Sequence, residues 1–205
     1  MNRMEGLFVS YRRSDSQSEA TLIRHALVAG FGDGRVFQDI VGIPIGEQFP
    51  DVLREQLSAA QVVVAVIGPG WLTAADQFGR RKIDMATDWV NIELSTALAA
   101  PTTVVPVLID PTTMPPAEAL PAELAALSTL NAFVCRKDKW DLDIAELVRQ
   151  LGELTGWPVD QSAAVAAGGA ASPIWSAVQS ITGDGNVVMA NVDGSKINIS
   201  TNAPR

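Results

Sequence analysis

Histidine, cysteine and tyrosine occur once each in the 205 residues, as His25, Cys135 and Tyr11. A lone cysteine closes no disulfide within the chain and fits a reducing compartment. One histidine and one cysteine exclude a structural zinc site of the Cys/His type. His25 lies in an Ala- and Leu-rich stretch with no nucleophile-elbow motif, so a Ser-His-Asp triad is not expected. Cys135 falls at the end of an expected strand and suits a small buried hydrophobe better than a nucleophile. No run of about 18 apolar residues occurs, so no spanning helix is expected. Met1-Asn2-Arg3-Met4-Glu5 lacks the apolar core of a secretory leader, and the expected compartment is the cytoplasm. Cations are scarce: 15 Lys and Arg against 23 Asp and Glu give a net charge of −8. That disfavours nucleic acid, whose phosphates need neutralising. There is no P-loop, and the Gly32/Gly34 pair lacks dinucleotide-fingerprint spacing before a helix.

Hydrophobic residues make up 47% of the chain, enough for a full core. Gly6 to Tyr11 reads as a short buried strand. A helix is expected from about Glu19 to Ala29, and a second strand over Arg35 to Gln38. An irregular loop runs from Asp39 to Glu47, and a helix follows to about Ala60. Gln61 to Ile67 holds Val-Val-Val-Ala-Val-Ile, a β-branched run suited to a strand covered on both faces. A long loop, Trp71 to Thr87, carries the basic cluster Arg80-Arg81-Lys82. Further strands are expected over Thr103 to Ile109 and Leu130 to Val134, and a last helix over Asp141 to Leu154. Strands alternating with helical connections predict an α/β fold, a flavodoxin-like doubly wound sheet of five parallel strands. Ligands of such sheets gather at the carboxyl ends of the strands, where Tyr11, Arg12, Arg13, Asp39, Gly68 and Trp71 fall.

The main domain is expected over residues 1–157, with an Ala/Gly-rich flexible linker over 158–172. The tail, 173–205, contains Asp193-Gly194 between two apolar-alternating stretches, the signal of a β-hairpin. An isolated hairpin is marginal in water. This one is therefore expected to pair with copies of itself, with a partner protein through residues 173–200, or with the main sheet's edge. The other reading is an unstructured tail with a chance turn.

Trp89 and Glu93 stand four apart in Asp88-Trp89-Val90-Asn91-Ile92-Glu93-Leu94, so one helix face presents an indole and a carboxylate together. The packing stripe is separate: Val90, Leu94, Ala97 and Leu98. A carboxylate beside an aromatic plate can bind and polarise a cationic ring. The plainer alternative is an amphipathic helix with an exposed Glu.

Phe8-Val9-Ser10-Tyr11-Arg12-Arg13-Ser14-Asp15 resembles the first signature box of Toll/interleukin-1 receptor (TIR) domains in its bacterial form. Val36-Phe37-Gln38-Asp39 with Ile45-Gly46-Glu47-Gln48-Phe49 resembles that family's second strand and BB loop. Trp71-Leu72 after the third strand is also typical, and Trp89 to Leu94 is similar to the family's catalytic helix. The resemblance covers about residues 5 to 155 and rests on several motifs in order; the tail lies outside it.

This resemblance implies cleavage of NAD at the nicotinamide–ribose bond, with NAD as substrate and no cofactor. Glu93 would be the catalytic carboxylate facing an oxocarbenium-like ribose. Trp89, with Tyr11 or Trp71, would supply a dry aromatic wall. Arg12 and Arg13 would meet the pyrophosphate, the other reading being surface charge after a strand. The loop from Asp39 to Glu47, with Ile43, Pro44, Ile45 and Gly46 at its centre, would gate the site or join neighbouring copies in self-association.

The expected function is therefore an NAD glycohydrolase, yielding ADP-ribose or a cyclised isomer, in a bacterial antiphage effector switched on by assembly. The alternative is a non-catalytic adaptor signalling through TIR–TIR contact. A phosphoacceptor receiver of the same sheet class would need an acidic cluster after the first strand, where Arg12-Arg13 stand. A nucleoside deoxyribosyltransferase also uses a helix Glu and would act on free nucleosides. Deleting residues 160–205 is expected to abolish induced activity and leave the fold intact.

Overall fold

The computed structural model describes residues 6–38, 57, 60–169, 190–193 and 196–199. The Asp39–Glu47 loop and the expected helix after it lie outside these residues, apart from a buried, helical Leu57. The chain divides into a compact unit ending at Gly168 and a separate C-terminal unit.

In the first unit, β1 (Gly6–Tyr11), α1 (Arg13–Phe31), β2 (Val36–Gln38), β3 (Ala60–Ile67), α2 (Trp89–Ala99), β4 (Thr103–Ile109), β5 (Phe133–Cys135), α3 (Trp140–Thr155) and α4 (Gln161–Gly169) follow in order. The five strands form one parallel sheet in the order β2-β1-β3-β4-β5. This is the doubly wound arrangement expected from the sequence. β1 and β3 meet at its centre, in a register that sets Ser10 beside Ala65 and Tyr11 beside Val66.

The alternation of β3 builds both core layers. Val62, Val64 and Val66 face α1 and α3, with Leu7 and Val9 of β1, Ile23, Leu27, Leu147 and Val148. Val63, Ala65 and Ile67 face the other way, with Phe8 of β1, Trp71, Val90, Leu94 and Leu124. A strand with no wet face needs no polar alternation, which is why its sequence is a continuous β-branched run.

Two connections depart from expectation. Between β4 and β5 the chain makes 3-10 turns at Ala117–Ala119 and Ala122–Thr129 in place of an α-helix. Pro111, Pro115, Pro116 and Pro121 interrupt that stretch and withhold the amide donors a continuous helix needs. Leu124 and Leu127 are nevertheless fully buried there. β5 starts later than expected because its pairing with β4 spans only Phe133 to Cys135.

The stretch expected to be a flexible linker holds a helix. α3 ends at Gly156 with φ 73°, and the chain turns back over α1. Trp157 meets the Phe31 ring edge-on at 5.8 Å, and the amide of Asp160 donates to the Gly30 carbonyl at 3.0 Å. The Asp160 carboxylate accepts from the Ala163 amide at 3.0 Å and so caps α4. Ala164 is fully buried against the α1/α3 layer.

In the second unit, β6 (Ala190–Asp193) and β7 (Lys196–Ile199) pair antiparallel, with Asp193 opposite Lys196. Asp193, the first residue of the turn signal, is thus the last paired residue of β6.

Candidate active site

The carboxyl ends of β1 and β3 carry three cross-connections within a few residues. In β1, Phe8 points into the layer under α2. By strand alternation Ser10 points the same way. Its hydroxyl donates to Glu93 Oε2 at 2.6 Å, joining the end of β1 to the second turn of α2. Ser10 is buried and Glu93 half-buried.

Arg12 follows at the strand's end and is only 5% exposed. Its Nη1 and Nη2 donate in parallel to Asp88 Oδ1 and Oδ2, at 2.9 and 2.8 Å. Its Nε donates to the Trp71 carbonyl at 3.1 Å. Asp88 is the N-cap of α2, and its Oδ2 also accepts from the Asn91 amide. One carboxylate therefore ends the loop, starts the helix and neutralises the arginine. Asn91, itself buried, ties the same turn down by donating to the Ile83 carbonyl at 2.7 Å.

The third connection is Asp15, near the start of α1. It accepts from the Gly68 amide at 3.0 Å and from the Gly70 amide at 2.6 Å. A Cβ at Gly68 would lie 2.5 Å from Asp15 Oδ2, so this close approach of backbone to carboxylate requires glycine.

The residues expected at the site take different places. Glu93 lies at the sheet's rim. Trp89, at the first position of α2, is 42% exposed. Tyr11 ends β1 half-buried, and Arg13 opens α1 exposed. Asp39, Ile43, Pro44, Ile45 and Gly46 lie outside the described residues.

Arg12, expected at a pyrophosphate, is a buried clamp. An arginine in that layer is tolerable only with its charge matched, and Asp88 supplies the match. Trp71, expected in the aromatic wall, is 1% exposed and belongs to the core between the sheet and α2. The turn from Gly68 to Trp71, closed by the Trp71 amide on the Gly68 carbonyl, brings the indole back onto the sheet. Sequence reasoning missed Ser10, Asp15 and Asp88. Asp88 alone left a local signal, an N-cap residue just before an apolar helix.

Cys135 is buried, and burial followed by the Asp143 charge pushes its thiol up to about 12. It is no thiolate at neutral pH. His25 is exposed on α1. A groove of about 330 Å³ opens at the ends of β3 and β4, lined by Pro69, Leu72, Thr112 and Met114 among others. Neither Glu93 nor Trp89 lines it, so it is not that carboxylate's site. Among the described residues, no group of three or more His, Cys, Asp or Glu stands together to hold a metal, and no helix is long and apolar enough to cross a membrane.

A buried clamp thus sets the start of α2, and a short hydroxyl bond holds the carboxylate one turn further on. Such an arrangement can present a fixed negative charge to a developing cation at low reorganisation cost. Two comparisons bear on it. A family model described as "TIR domain" matches residues 7–148, well over half of the chain. Among solved structures, the chain is similar to the TIR domains of the activated Roq1 resistosome directly recognising the pathogen effector XopQ. The TM-score is 0.51 at 14% identity, over 73% of this chain and 98% of that one. At that identity the likeness shows the fold alone.

Proposed function

Because the chain belongs to the TIR domain family, we propose that it cleaves NAD at the nicotinamide–ribose bond with Glu93 as catalytic carboxylate. In this reading it is a bacterial antiphage effector switched on by self-association. The observation that supports it is the 2.6 Å bond from Ser10 to Glu93, which holds a carboxylate near the carboxyl end of β1, where sheets of this class take ligands, one turn from an exposed Trp89.

The chemistry suits those groups. The C1′–N bond breaks and its electron pair moves to the pyridinium nitrogen, so nicotinamide leaves neutral and needs no acid. The positive charge passes to the ribose, where Glu93 faces it. Two unit charges about 4 Å apart gain about 1 kcal/mol in water and about 4 kcal/mol at an effective dielectric of ~20. The carboxylate is therefore effective only in a sheltered site, and Trp89 and Tyr11 are the aromatic groups available to shelter it. Water then adds to C1′ and releases a proton, giving ADP-ribose. If a ring nitrogen of the same molecule's adenine bonds to C1′ instead, no water is added and the product is a cyclic ADP-ribose, lighter than ADP-ribose by one water. Arg13, exposed at the start of α1, meets the pyrophosphate in this reading, and the 39–47 loop closes the site or joins copies.

The test is chromatographic product analysis after mixing the full chain with NAD, in dilute and in concentrated protein. Nicotinamide release that Glu93→Ala abolishes is the expected result. Unchanged turnover in Glu93→Ala removes Glu93 from the mechanism.

A second reading, a non-catalytic adaptor, is favoured by Phe78, which stands 73% exposed in the loop before α2. With the Arg80 guanidinium 5.6 Å from its ring centroid, it makes an exposed aromatic–cation pair that suits a docking contact. Self-association without any NAD consumption would support it.

A further inference from the structure

We propose that Ser10 is a positioning residue for Glu93, a role that rests on the reading of Glu93 as the catalytic carboxylate. Ser10 stands in the layer between the sheet and α2, among Phe8, Val63, Ala65, Ile67, Val90 and Leu94. Packing there asks for an apolar side chain. Across the β1–β3 pairing, its neighbour at the same level is Ala65. A hydroxyl in such a place must find an acceptor, and its acceptor is Glu93 Oε2 at 2.6 Å. The distance is at the short end for O–H···O and suits an ionised acceptor.

Both ends of this bond are held. Ser10 sits on β1, paired on either side by β2 and β3. Glu93 sits on α2, whose first turn is fixed by Asp88 and, through it, by Arg12. A glutamate on a helix surface samples several rotamers, and only some place its charge beside a bound ribose. The Ser10 hydroxyl selects one of them before substrate arrives. The buried serine spends its hydrogen bond on orientation, and the gain is expected in kcat, where fixed charge meets the developing cation. Substrate binding has no direct contact with Ser10 to lose.

The experiment compares wild type, Ser10→Ala, Ser10→Thr and Glu93→Ala as full chains, measuring nicotinamide release from NAD and thermal melting. Ser10→Ala is expected to lower kcat about 10- to 100-fold, as for a lost bond to a charged group, with KM within about twofold. Its melting temperature stays close to wild type, because alanine fills the same space. Ser10→Thr keeps the hydroxyl and is expected to recover most of the lost kcat. Wild-type kcat in Ser10→Ala overturns the proposal. So does a Thr variant that folds and is as impaired as Ala, because volume and not the hydroxyl would then matter. Turnover that Glu93→Ala abolishes and Ser10→Ala leaves intact overturns this role alone. No turnover in wild type, dilute or concentrated, overturns the NAD reading and this role with it.

Discussion

Arg12 and Asp88 meet through two parallel bonds at 2.9 and 2.8 Å, with side chains only 5% and 9% exposed. The pair lies 76 residues apart in sequence and joins the end of β1 to the first turn of α2. A matched pair this deep adds little net stability over an apolar contact, but removing one partner strands a buried charge.

Asp88→Ala is therefore expected to destabilise by about 3–5 kcal/mol. The same change also removes the α2 cap. For a unit of this size the melting point falls on the order of 10 °C. Arg12→Lys, which cannot make the fork, is expected to lose part of that amount. The measurement is thermal unfolding without NAD. An Arg12→Lys melting point equal to wild type, with a raised KM for NAD, would return Arg12 to the pyrophosphate.

Gly68→Ala is the second expected disruption. The new methyl would stand 2.5 Å from Asp15 Oδ2, so the carboxylate must withdraw and release the Gly68 and Gly70 amides. A loss of about 1–3 kcal/mol per stranded buried group is the expected range. Asp15→Ala removes the acceptor itself and is expected to cost a similar amount. In the Gly68→Ala/Asp15→Ala pair the two losses should not add, because both break the same clamp. Additive losses in denaturant melts would dissociate Gly68 from Asp15.

How far these features can be read from the sequence depends on range. The β3 strand was legible because burial on both faces writes a continuous run of Val and Ile. The helix that carries Trp89 and Glu93 was legible because helix spacing is local. Ser10 was not, since its partner is 83 residues away and the bond exists only once β1 lies under α2. Trp71 was misplaced because an aromatic after a strand looks the same whether the turn sends it outward or back onto the sheet. The Ala-rich stretch after Pro158 looked like a linker by composition. Alanine is also the best helix former, and one Asp cap with one buried alanine decided between the two.

Asp143 gives a pH prediction. Its carboxylate accepts from Arg136 Nε and Nη2 at 2.9 and 2.5 Å and from the Arg136 amide at 2.8 Å. The Arg136 side chain, foremost, holds it below the ordinary aspartate range. A carboxyl whose folded value lies below its unfolded one binds fewer protons when folded. Its stabilisation is present above about pH 4 and is lost as the pH falls through the folded value. Asp143→Asn should therefore lower stability at neutral pH and flatten the acid limb of the stability curve. An acid limb as steep as wild type would show that other carboxylates set it.

α4 makes the last prediction, about where the first unit can be cut. A chain ending after residue 159 loses the Asp160–Gly30 bond, the Asp160 cap and buried Ala164. Ala164 covers the α1/α3 layer where Gly30 approaches Val148. Uncovering that layer exposes apolar surface at about 25 cal/mol per Å². The cut is expected to lower the melting point by several degrees, against the intact fold that a plain linker would predict. A chain ending after residue 169 keeps every one of these contacts and is expected to melt with the full chain. If the two truncations melt together, α4 contributes nothing to the unit, and the stretch from 158 behaves as the spacer its composition suggests.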